Sequence, residues 1–228
     1  MRKLFSVKID LDPSVLFERI STYKTTKSDH GIYDVAMTKQ LLTGAFWLRE
    51  EIIVLNELNI YESAEPVTFF KVNRCVFSLQ SITKKELILS IDSSSKSIKP
   101  FLKWLEGAIQ TTVFISQIKI SLFDLSKHIE KSDNALVKIT HSYSSNQTIS
   151  KHEKISFSVY SNENAIIAAQ RIISDVSLEF ERVKIESYQD GVPVVLDIKS
   201  NCLYSVSTPN SKLEKTLIDF VIKTEAAE

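Results

Sequence analysis

Glycine is scarce in this chain. Only four occur in 228 residues, Gly31, Gly44, Gly107 and Gly191, and no two are close enough to form a GxGxxG or Walker-type loop. Those loops need glycine because the backbone itself packs against phosphate, so nucleotide chemistry through them is excluded. Cysteine is scarcer still, with Cys75 and Cys202 alone, each inside a strand-like run. Two such cysteines make neither a zinc-ligand spacing nor a disulfide framework. Both read as buried reduced thiols of an intracellular protein. The four histidines, His30, His128, His141 and His152, lie in polar or strand-edge settings, with no cysteine or carboxylate completing a ligand set. They read as surface residues, although His141 and His152 flank a polar turn and could approach across a hairpin. Neither charge dominates: 28 basic residues balance 28 acidic ones. No global field therefore draws nucleic acid or a membrane surface, which leaves room for a local basic patch. No apolar run is long enough to span a bilayer, and the Met1-Arg2-Lys3 start opens an alternating strand instead of a signal peptide. These absences predict no cofactor, no metal and no membrane partner.

What is present is alternation. Residues 3–10 alternate as a strand. Asp12-Pro13 opens a helix, with proline at its first position and Val15, Leu16, Ile20 and Tyr23 on one face. Residues 36–48 fit helix or strand, residues 51–60 favour a strand, and residues 67–82 read as one or two strands after Pro66. A strand–helix–strand–strand pattern then occurs twice, over residues 86–143 and 154–206. Each copy opens on an alternating strand (Leu87, Leu89, Ile91; Ile155, Phe157, Val159) and continues into a short helix, over residues 96–108 and 162–173. Each returns through a long strand whose apolar phase slips by one residue. The slip separates Val113, Ile115 from Ile118, Ile120, Leu122 in one copy, and Val176, Leu178, Phe180 from Val183, Ile185 in the other. A slip of that kind is the mark of a β-bulge. In the first copy a turn over residues 131–134 leads into the closing strand. Tyr188-Gln189-Asp190-Gly191 is a type I′ hairpin signal. Ser211-x-x-Glu214 is a capping box opening a helix with Leu213, Leu217, Phe220 and Val221 on one face.

The fold expected is α+β: mainly antiparallel sheet built from repeated βαβββ units, with helices on one face. Three segments are predicted: an N-terminal α+β domain over residues 1–83, a domain of two βαβββ units over 84–208, and a helical tail over 209–228.

Two tandem units ending in Val192-Pro193-Val194-Val195 and Tyr204-Ser205-Val206 resemble the C-terminal domain of a sliding DNA clamp. The resemblance is to proliferating cell nuclear antigen and the subunits of the heterotrimeric checkpoint clamp, and it covers roughly residues 84–208. Members of that family carry four such units, whereas the first 83 residues leave room for about one. The resemblance implies a DNA-clamp-like fold and a non-catalytic subunit that assembles with other chains, as a homo- or hetero-oligomer, around or against duplex DNA. It implies recruitment of replication, repair or checkpoint enzymes as clients, and a nuclear location in a eukaryote. Such clamps line their ring with helices whose basic side chains meet phosphates without reading bases. That role falls here to Arg19, Lys24, Lys96, Lys99, Lys103 and Arg171. Lys96, Lys99 and Lys103 share one helix face, at i, i+3 and i+7, where a solvated face is the plain alternative. Leu213, Leu217, Phe220 and Val221 are the candidate partner-binding stripe, and with Glu214 they loosely resemble the peptide that clamp clients carry. The plain alternative is a helix docked on its own core.

No catalytic residue is assigned. Asp190, Asp197 and Lys199 imitate the D…(D/E)xK spacing of metal nucleases, but a hairpin turning at Asp190-Gly191 sets Asp197 opposite Lys184 and Lys199 opposite Arg182. That arrangement is an outward charge ladder, with the two carboxylates about 23 Å apart along one strand. The serines at 93–95 fit a helix entry better than a nucleophile. Trp47, Trp104, Phe46, Phe69 and Phe70 read as core. Two further functions stay open: an interaction scaffold without DNA contact, and a hydrolase whose site the sequence hides.

Overall fold

The computed structural model describes residues 1–23, 29–54, 67–92, 98–132, 137–150, 153–173 and 178–227, with the backbone alone at 149 and 150. Lys24, Pro66, residues 93–95, Lys96, His152 and Val176 lie outside the described residues. Along the chain run β1 (Arg2–Lys8), α1 (Pro13–Thr22), β2 (His30–Met37), β3 (Leu41–Val54), β4 (Val67–Ser81), β5 (Glu86–Asp92), α2 (Lys99–Ile109) and β6 (Phe114–Gln117). There follow α3 (Leu122–Ser132), β7 (Val137–Ser150), β8 (Glu153–Tyr160), α4 (Ala165–Ile172), β9 (Arg182–Gln189), β10 (Val192–Lys199), β11 (Leu203–Val206) and α5 (Lys212–Glu225). The class is α+β with antiparallel sheet. Two compact units divide the chain: an N-terminal unit, Val7–Ile115, and a C-terminal unit, Met1–Ser6 with Ser116–Glu228. The boundary expected near residue 83 therefore falls inside β6, and the helix of residues 209–228 belongs to the C-terminal unit. Pairing brings the start of the chain into the C-terminal unit: β1 lies on β11, with Arg2 opposite Tyr204.

In the N-terminal unit the strands pair antiparallel in the order β2-β3-β4-β5. Residues 36–48, ambiguous by pattern, are the end of β2 and most of β3. Residues 67–81 form one strand, held by β3 along its whole length. Gly31 sits opposite Trp47, where a Cβ would come within 2.9 Å of the indole nitrogen. The core is aromatic. Phe101 and Trp104 of α2 pack on Phe46 and Phe77 of β3 and β4, with ring centroids 4.9–6.5 Å apart. Asp12 caps α1 by accepting from the Ser14 N–H at 2.9 Å. α2 starts late, at Lys99, as Pro100 requires. Phe69 and Phe70, expected in the core, are 54% and 56% exposed on the outer half of the β3–β4 ribbon.

The C-terminal unit orders its strands β11-β10-β9-β7-β8. Here the expected first repeat fails. After α2 comes only the short β6, and residues 122–132 are the helix α3 instead of the end of a long bulged strand. Leu122, Leu125, Ser126 and Ile129 are buried at i, i+3, i+4 and i+7, a helical period. The second long strand is also shorter than expected, since β9 begins at Arg182 and residues 178–180 hold no regular structure. The order β8-α4-β9-β10-β11 does match the expected second copy. α4 is capped by Asn164, whose side-chain oxygen accepts from the N–H groups of Ile166 and Ile167. α3 and α4 pack on β7, and α5 packs on α3 and β10. Val183, Ile185, Val194, Leu196 and Ile198 are buried on the helix side. On the other face Arg182, Tyr188 and Lys199 are exposed.

Candidate functional site

The hairpin of β9 and β10 organises the other face of the C-terminal sheet. Asp190 and Gly191 both have positive φ, 51° and 77°, as a type I′ turn demands. The turn sets Val192 opposite Gln189, Asp197 opposite Lys184 and Lys199 opposite Arg182. That register is the one expected, and it sends Arg182, Lys184, Glu186 and Tyr188 outward together. Asp197 pairs diagonally, however, and not with Lys184. Arg182 Nε donates to Asp197 Oδ1 at 2.7 Å, and Nη2 donates to Oδ2. A planar guanidinium satisfies both carboxylate oxygens at once, which an ammonium cannot. These hydrogen bonds and the attraction of Asp197 hold the Arg182 pKa above its ordinary value, outweighing partial burial.

β7 brings the neighbouring groups. His141 lies opposite Tyr160 of β8 and Lys184 of β9. Its Nε2 is 2.7 Å from Ser158 Oγ, and its ring stacks on Tyr160 at 4.4 Å with an 8° interplanar angle. Partial burial, and after it the nearby Arg182 and Lys184, push the His141 pKa down despite Asp197. Thr140 Oγ1 donates to Glu186 Oε1 at 3.3 Å. Two shallow clefts open on this face. One, of about 440 Å³, is lined by His141, Tyr143, Arg182 and Lys199. The other, of about 410 Å³, is lined by His141, Tyr160, Arg182, Lys184 and Asp197. Sequence reasoning placed Arg182, Lys184, Asp197 and Lys199 together on this face and missed His141 and Tyr160 beside them. The outward phase of each strand was readable, but which strands lie side by side was not.

Of the expected helix cations, Lys99, Lys103 and Arg171 are exposed on their helices, and Arg19 is engaged in a backbone contact. Arg19 Nη1 donates to the Ile109 carbonyl at 2.6 Å, tying α1 to the end of α2. It acts as a helix-to-helix tie. Lys99 and Lys103 are exposed on α2. Glu106, the one acid near them on α2, accepts from the Val113 N–H at 3.1 Å. Arg171 is exposed in the last turn of α4. Lys24 and Lys96 lie outside the described residues. In the C-terminal unit the seam between α3 and α5 adds Lys127, Lys131 and Lys223, which are exposed. His128 lies in that seam, with its ring 5.3 Å from Phe220. Burial, then Lys223, pushes the His128 pKa down.

Leu213, Leu217 and Val221 are buried in this chain's own core, and Phe220 is half-buried. The proposed partner stripe is therefore already occupied, because α5 spends its apolar face on α3 and β10. The capping box forms by half. Ser211 Oγ accepts from the Glu214 N–H at 3.3 Å, while the Glu214 carboxylate takes Arg2, Tyr204 and the Asn210 N–H.

Cys75 and Cys202 are free and buried, and burial pushes their thiols up to about 11 and about 12. Among the described residues no three His, Cys, Asp or Glu side chains are placed to hold a metal ion, and no helix is long and apolar enough to cross a membrane. No protein-family model and no curated protein matches this chain.

Proposed function

We propose that this chain is a non-catalytic, clamp-like subunit that assembles with other chains against or around duplex DNA and recruits enzymes of replication, repair or checkpoint signalling. One observation carries the reading. In each unit the helices cover one sheet face and turn lysines outward, Lys99 and Lys103 on α2 and Lys127, Lys131 and Lys223 on α3 and α5. Helices bearing lysines meet phosphates without reading bases. β2 and β8 each have one hydrogen-bonded neighbour among the described residues, and free edges of this kind join chains to one another. In a eukaryote such a subunit works in the nucleus.

The test is duplex binding as a function of salt. Wild-type chain and a Lys99→Glu/Lys103→Glu variant are titrated into labelled duplex, alone and in assembled complexes. Loss of two phosphate contacts makes the slope of log K against log[salt] shallower by about 1.8. An unchanged slope removes α2 from the interface.

A second reading, an interaction scaffold without DNA contact, is favoured by the outer β3–β4 ribbon. There Ile52, Ile53, Val54, Val67, Phe69 and Phe70 are 40–61% exposed, where a monomer ordinarily buries such residues. Absence of salt-dependent duplex binding in every assembled state selects this reading over the first.

A further inference from the structure

The face of the C-terminal sheet opposite its helices combines rings and cations. Tyr160 is 76% exposed, and one face of its ring lies flat on His141. Ser158 fixes His141 in turn. The ring is thus held parallel to its support with its outer face free. Tyr188, 48% exposed, presents a second ring on the same side of β9. Around them the register places Lys138, Arg182, Lys184 and Lys199 on this face, and Lys154 shares the outward phase of Tyr160 along β8. The acids facing them are Glu181, Glu186 and Asp197; Asp197 is engaged by Arg182, and Glu186 lies 3.8 Å from the Lys184 ammonium in an exposed pair. Five cations against three carboxylates leave the face net basic in a chain with no net charge.

We propose that this face binds single-stranded nucleic acid, with Tyr160 as a base-stacking platform and Lys184 and Lys199 on the phosphates. Every base has a π-face, so an exposed ring takes any unpaired base, and cations beside it track the backbone. A duplex keeps its base faces covered and gains nothing from Tyr160. An acidic peptide would use the lysines and leave the ring idle. Pre-stacking on His141 means that Tyr160 loses little freedom on binding. Within the C-terminal unit this surface is separate from the lysines of α3 and α5, since those helices pack on the opposite face of the sheet.

The probe is a fluorescein-labelled oligothymidylate of about 12 nucleotides, titrated with the full chain by anisotropy at several salt concentrations. Tyr160→Ala is expected to weaken binding about tenfold, since stacking on one ring is worth roughly 1–3 kcal/mol. Tyr160→Phe retains binding, and Lys184→Glu/Lys199→Glu flattens the salt dependence. Because Tyr160 is exposed, melting temperatures should match wild type. Should Tyr160→Ala melt early, Tyr188→Ala supplies the same loss from an independent ring. Equal affinity of wild type and both alanine variants overturns the proposal. So does failure to bind the oligonucleotide at low salt, or displacement of it by polyglutamate with no dependence on Tyr160.

Discussion

Arg2 Nη1 donates to Glu214 Oε1 across 2.7 Å, joining the first strand to the last helix over a sequence separation of 212 residues. The carboxylate is nearly closed off, with 2% of the side chain exposed. It also accepts from the Tyr204 hydroxyl at 2.9 Å and from the Asn210 N–H at 2.7 Å. Burial alone would lower the Arg2 pKa, but Glu214 and Tyr204 outweigh it and hold the pKa raised. A buried carboxylate is tolerated only when its oxygens are filled in this way.

Removing that acceptor takes away the carboxylate that Arg2, the Tyr204 hydroxyl and the Asn210 N–H share. Glu214→Ala is expected to cost about 3 kcal/mol, read as a lower midpoint in urea unfolding, and Glu214→Gln should cost less. A Glu214→Ala midpoint within error of wild type would show that the network adds no stability.

The end of α2 offers a gain. Gln110 sits there in the left-handed conformation, with φ of 56°, and its N–H donates to the Glu106 carbonyl at 2.8 Å. Glycine adopts that conformation without the Cβ penalty. Gln110→Gly should therefore stabilise by about 0.5–1 kcal/mol, measurable as a higher melting temperature, and a lower one would contradict the cap.

The hairpin turn gives the opposite sign. Asp190 has φ of 51°, which a β-branched side chain resists. Asp190→Val should cost about 1–2 kcal/mol, whereas Asp190→Asn should be close to neutral. Urea titrations of the two variants separate turn strain from loss of the exposed charge, because both substitutions remove the carboxylate.

Acid should weaken the fold through histidine. The pKa values of His128 and His141 are both pushed below their ordinary value, so the unfolded chain binds protons first as pH falls. Their contribution is fully present above about pH 6.5 and is lost as pH drops through the lowered folded values. Unfolding free energy should decline below pH 6.5, and His128→Gln/His141→Gln should decline less. Parallel curves for the two proteins would place the acid sensitivity elsewhere.

The two thiols should be inert. With pKa values raised to about 11 and 12 and almost no exposure, neither supplies thiolate at neutral pH. A chromogenic disulfide reagent should report no fast thiol in the native protein and two after denaturation. One rapidly reacting thiol before unfolding would contradict the burial of Cys75 or Cys202.

Local chemistry was legible in the sequence alone. Asp12-Pro13 and Ser211 mark true helix starts, and Pro100 delays α2 as it must. Asp190-Gly191 determines the β9–β10 register, because a two-residue turn leaves one way to pair the strands. The alternation of Val183, Ile185, Leu196 and Ile198 determines which face is buried. Tertiary structure decided the rest. Leu122 continues the strand-like alternation of Ile118 and Ile120 and also begins the helical spacing to Leu125 and Ile129, so the period alone could not choose. Packing of α3 against α5 and β7 chose the helix. The pairing of β1 with β11 and the Arg2–Glu214 contact join residues far apart in the chain. Contacts of that range depend on which strands become neighbours, and no local pattern encodes that order.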